Sequence, residues 1–133
     1  MEAMSFSDIE LAAAGGTVNF WMWNGGARYN NWVDNWLAPR MRSKYQIQVT
    51  RAPDPSGAQT AVATVAAEVL AGNTDAGSVD LIWINGNNFR NLKSAGNAYC
   101  GWAHKLPSGK NYNWFSPAIA FDFGVPTSGC EMP

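Results

Sequence analysis

The stretch that most constrains this chain runs from Val79 to Ile84, apolar except for Asp80, with Gly77-Ser78 before it and Asn85-Gly86-Asn87-Asn88 after it. A short, near-continuous apolar run between turn residues reads as a strand buried on both faces. Phe89 and Leu92 follow at helical spacing up to Gly96, with Asn87 or Asn88 as the expected cap and Gly96 as the expected left-handed terminus. The unit is therefore strand, polar corner, helix. In parallel α/β sheets such corners lie at the carboxyl ends of the strands, where ligands bind.

The same grammar occurs earlier. Thr17-Val18-Asn19-Phe20-Trp21-Met22-Trp23 is rich in strand formers and stops at Asn24-Gly25-Gly26. Before it, Ser5 to Asp8 suits the cap of a short helix over residues 9–14, ended by Gly15-Gly16. After it, Tyr29, Trp32, Val33, Trp36, Leu37 and Met41 follow the spacing of an amphipathic helix. Trp32 and Trp36 are expected to face the core. Pro39 cannot donate to the carbonyl of Asn35, so a kink or an end is expected there.

Residues 46–51 alternate as a strand and 52–57 read as a Pro-containing loop, with capping-box spacing between Ser56 and Gln59. Val62, Val65, Ala66, Val69 and Leu70 mark one face of a further helix, closed by Gly72-Asn73. The order βαβαβα calls for a parallel sheet with right-handed crossovers, flanked by helices in three layers. Beyond Gly96 the chain is mostly loop with short helical turns, and residues 118–125 are expected to supply one more strand, at a mixed edge.

With 133 residues the chain is read as one domain. Its balance of 9 basic and 10 acidic residues gives a net charge of −1, which offers no general attraction for nucleic acid or an anionic membrane. The basic cluster Arg40, Arg42 and Lys44 falls at a predicted helix end, where it complements the dipole. No apolar run approaches a membrane span, and Met1 to Ala14 does not read as a secretory signal, which allows a cytoplasmic chain. Cys100 and Cys130 are compatible with one disulfide or with two free thiols.

Little points to catalysis. His104 is the single histidine, the carboxylates are scattered, and no nucleophile, phosphate-loop or metal-ligand motif occurs. No enzyme activity, cofactor or metal is expected, and Asp80 is expected to be hydrogen-bonded structurally. The two Asn-Gly corners offer binding chemistry instead. Backbone N–H groups at helix starts attract anionic or carbonyl groups, and Trp23 and Trp83 at the strand ends can stack on a flat or cationic ligand.

Three blocks, residues 16–26, 77–89 and 122–126, resemble the amino-terminal part of extracytoplasmic solute-binding proteins of ABC importers, in particular their YnjB-like branch, related to thiamine, polyamine and ferric-ion binders. The resemblance implies a type 2 periplasmic-binding-protein fold, of which this chain would be a partial, truncated amino-terminal lobe. It implies a first ligand loop of Trp23, Asn24, Gly25 and Gly26, a second of Asn85, Gly86 and Asn87 beside Trp83, and a run from Asp122 to Val125 toward a hinge. It also implies a small organic solute, thiamine-like or polyamine-like, a periplasmic location, and a membrane transporter as partner of the full-length protein. A lobe with uncovered edges is expected to form a homodimer. The alternative reading is a stand-alone homo-oligomeric interaction module that no longer captures solute.

Overall fold

The computed structural model describes residues 4–23, 25–54 and 57–132, leaving aside the side chains of Pro53 and Asp54. The chain forms two compact units, Met1–Trp83 and Ile84–Pro133.

The first unit is mixed α/β, built on a three-stranded sheet in the order β2-β1-β3. Its central strand β1 (Thr17–Trp23) pairs in parallel with β2 (Gln48–Asp54), Thr17 opposite Gln48 and Trp23 opposite Asp54. On its other side it pairs in parallel with β3 (Leu81–Ile82), Phe20 opposite Leu81. The expected parallel sheet is thus present. Strand β2 starts two residues later than the alternation suggests because Gln46 takes the left-handed position that ends the preceding helix. It continues through Pro53, which an edge strand tolerates because its missing N–H falls outside the ladder.

Strand β3 departs most from expectation. It is two residues long, not six, and it is not buried on both faces: Leu81 is 43% and Trp83 41% exposed. Asp80 is the reason. Its N–H donates to the Asn19 carbonyl at 3.2 Å, and its carboxylate accepts the Asn19 N–H at 2.8 Å, taking the place a ladder carbonyl would fill. Asp80 is therefore structural, bonded to β1 itself.

Helix α1 (Phe6–Ala13) opens on a full capping box between Ser5 and Asp8, three residues before the expected start. A long helical segment follows β1: α2 (Gly26–Trp32), a π turn (Val33–Leu37) and α3 (Ala38–Tyr45). Pro39 neither ends nor breaks it. The wide turn just upstream absorbs the donor that proline lacks, and Pro39 settles into the first turn of α3.

Val33, in this π turn, is fully buried against Phe20 and Met22 of β1, with Trp23, Leu37 and Val49 around them. Burying these side chains contributes roughly 2 kcal/mol each. Trp32 and Trp36 do not join this core. They are 46% and 51% exposed and stack on each other, centroids 5.6 Å apart, because the core-facing stripe is carried by Val33 and Leu37.

Helix α4 (Gln59–Leu70) buries Ala61, while Val69 and Leu70 at its end are exposed, so only part of the predicted apolar face is covered. It closes as expected, with Gly72 at positive φ and Asn73 N–H donating to the Glu68 carbonyl. The capping-box reading at Ser56 falls outside the described residues.

In the second unit, α5 (Gly86–Ser94) buries Phe89 and Leu92 and ends at Gly96, again with positive φ. After two short 3₁₀ turns and α6 (Pro117–Ala120), the expected strand over 118–125 is instead a hairpin of β4 (Phe121–Asp122) and β5 (Val125–Pro126). Phe123 and Gly124 both have positive φ, the backbone of a tight two-residue turn, so the chain reverses here and does not continue as one strand. Cys100 and Cys130 form a disulfide across a separation of 30 residues. Beside it, Trp102 and Ala103 N–H groups donate to the Gly129 carbonyl.

Candidate functional site

The first corner lies at the carboxyl end of β1, and three rings meet there. Trp23 ends β1, Tyr29 stands in the first turn of α2, and Trp83 follows β3, held by its N–H donating to the Trp21 carbonyl at 2.8 Å. Trp23 and Trp83 pack edge to face with centroids 4.7 Å apart; Tyr29 lies 5.5 Å from Trp23 and 6.3 Å from Trp83. Each such pair adds roughly 1 kcal/mol beyond burial, so the three rings hold one another in a fixed arrangement. Tyr29 and Trp83 nonetheless remain about two-fifths exposed. The result is a wet aromatic face, able to stack on a flat ring or to sit beneath a cation.

Gly25 is fixed by this face. A Cβ there would stand 2.8 Å from the Trp23 indole, so only glycine lets the ring lie across the corner. Gly25 N–H is occupied by the Trp23 carbonyl at 2.8 Å, and Gly26 starts α2 with positive φ. Asn24 lies outside the described residues. Tyr29 was read in sequence as part of the core stripe. Its position three residues after the Gly25-Gly26 corner was the signal that it belongs to the strand-end surface.

The second corner, Asn85, Gly86 and Asn87, belongs to the second unit. Asn85 is the N-cap residue of α5 and makes no side-chain cap bond, nor do Asn87 or Asn88 cap the helix. A remote carboxylate does so: Asp122 accepts the Gly86 N–H at 3.0 and 2.8 Å through its two oxygens. The backbone donor expected to face a ligand is thus already engaged. A partner 36 residues away leaves no local sequence signal.

Asp122 has a further neighbour. Burial, then the Asp122 charge, push the Glu131 carboxyl up to about 7, against the pull of the Lys93 ammonium. Lys93 itself donates to the Pro126 carbonyl and the Ser128 hydroxyl. In the first unit, the Arg51 guanidinium grips Asp34 through two bonds of 2.9 and 2.7 Å, which holds the Asp34 carboxyl below its usual range and Arg51 above its own. Among the described residues no cluster of side chains suits a metal ion, and no helix is long and apolar enough to cross a membrane.

No protein-family model matches the chain, and no solved structure matches it. Among curated proteins, Protein YnjB of Escherichia coli (strain K12) is similar: 38% identical over 133 residues, an alignment taking in 98% of this chain and 33% of YnjB. The chain spans about a third of the length of the curated relative it matches.

Proposed function

We propose that the chain is an amino-terminal lobe of an extracytoplasmic solute-binding protein of an ABC importer, with a type 2 periplasmic-binding fold, and that it holds a small organic solute against Trp23, Tyr29 and Trp83. The observation that carries this reading is the exposed three-ring face at the carboxyl ends of two parallel strands, where open α/β sheets bind ligands. An exposed face of aromatic rings favours a flat or positively charged solute, thiamine-like or polyamine-like, by as much as about 2 kcal/mol per desolvated cation–ring contact. The disulfide supports an oxidising compartment such as the periplasm. Titration with thiamine and spermidine, followed by tryptophan emission, tests the reading. A saturable change with either solute, lost in Trp83→Ala, is expected; flat traces with both count against it.

A second reading, the homo-oligomeric module, draws on exposed Phe115, Phe121 and Phe123 in the second unit. Under it, Phe115→Asp converts an oligomer to monomer, and an unchanged mass speaks against that surface.

A further inference from the structure

Arg28, Trp32, Trp36, Arg40 and Lys44 recur every fourth residue along α2, the π turn and α3, and all five are exposed. In a regular α-helix such a row drifts about 40° per step around the axis. The π turn, which winds less per residue, reduces that drift midway and keeps the row on one side. The two indoles stack at 21° between planes, and the Arg40 guanidinium lies 5.5 Å over the Trp36 ring. The outcome is a ridge roughly 24 Å long, with two Trp rings in its middle and cations at both ends.

Its charge is one-sided. Arg42 adds a fourth exposed cation to the same helical segment, and the acid on this segment, Asp34, is neutralised by Arg51. Lys44 shares a shallow recess with Glu10 and lies 4.8 Å over the Tyr45 ring. Among the described residues, Arg28, Arg40, Arg42 and Lys44 enter no ion pair. A chain of net charge −1 thus carries a concentrated basic ridge that its overall charge conceals.

We propose that this ridge docks on an anionic lipid headgroup layer, with Trp32 and Trp36 at headgroup depth and Arg28, Arg40 and Lys44 on the phosphates. Tryptophan is the side chain of bilayer interfaces, and cations flanking it snorkel to the same level. A second copy of the chain does not suit the ridge, because a two-fold interface would set cation against cation. A raised row of this length would also need a matching acidic groove on a folded partner, whereas a fluid headgroup layer conforms to it. This proposal is independent of solute capture at Trp23, Tyr29 and Trp83.

The test is co-flotation of the full chain with vesicles of phosphatidylcholine alone or mixed with phosphatidylglycerol. Flotation with the mixed vesicles only, weakening as salt rises to about 0.15 M, is expected. Each cation near an anionic surface contributes roughly five-fold, so the triple variant Arg28→Gln, Arg40→Gln, Lys44→Gln should bind about a hundred-fold less. Brominated lipid should quench emission in the wild type and much less in Trp32→Phe, Trp36→Phe, a pair of exposed changes that leaves the core untouched. Absence of flotation with anionic vesicles, equal flotation with both vesicle types, or undiminished binding of the triple variant overturns the proposal.

Discussion

Gly25 lies beneath the Trp23 indole with no room for a methyl group. Gly25→Ala should displace that ring, cost about 1–3 kcal/mol as overpacking does, and weaken the near-ultraviolet circular dichroism of the Trp23–Trp83 pair; an unchanged spectrum would show the rings free to adjust. Glu131 offers a second residue-level prediction. Its folded pKa of about 7 exceeds the ordinary 4.5, so the folded state binds its proton more tightly than the unfolded one. The stability this provides is complete below about pH 4.5 and is lost as pH rises through 7. Denaturant midpoints should therefore fall across that window, by about 1 kcal/mol at most once solvent screening is allowed for. Glu131→Gln should flatten the slope. Asp34 runs the other way, its contribution present above the usual carboxylate range and lost as acid protonates it. Individual residues of the first corner, Trp23 and Trp83, could be read from sequence because strand ends announce themselves by the Asn-Gly that follows. Asp122 could not, since it acts across 36 residues; Tyr29 imitates a core position, and its place just after the Gly25-Gly26 corner is the one cue against that reading.

At the scale of elements, the π turn is joined to β2 by the two-pronged contact of Arg51 with Asp34. Arg51→Gln should destabilise the first unit by about 1 kcal/mol in a denaturant titration, and Arg51→Lys should recover only part of it, because an ammonium cannot reproduce the paired geometry. Full recovery by lysine would reduce the contact to simple charge attraction. Strand β1, the helix stops at Gly72 and Gly96, and the parallel order of β1, β2 and β3 follow from local residue chemistry and were readable in advance. The length of β3 was not, because the Asp80 carboxylate replaces a ladder partner on β1, a tertiary event that hydrophobic patterning does not encode. Helix periodicity likewise selected Trp32 and Trp36 for the core, and Val33 and Leu37 took that place. The hairpin at Phe123-Gly124 escaped because an aromatic residue at positive φ is an uncommon turn residue.

For the whole molecule, the disulfide closes the larger part of the second unit, and the loop it removes from the unfolded chain corresponds to about 3–4 kcal/mol. Reduction, or Cys100→Ala with Cys130→Ala, should lower stability by that amount in equilibrium unfolding while leaving the first unit's Trp23–Trp83 signal in place; loss of both together would show the units to be thermodynamically one. The central claim is that the aromatic face holds a small organic solute. Native mass spectrometry of the wild type and Trp83→Ala, each incubated with thiamine or spermidine, tests it most directly and reports subunit number in the same spectrum. The account predicts a one-to-one adduct on the wild type that is lost or strongly reduced in Trp83→Ala. Unliganded spectra for both proteins, or equal adducts on both, would contradict it.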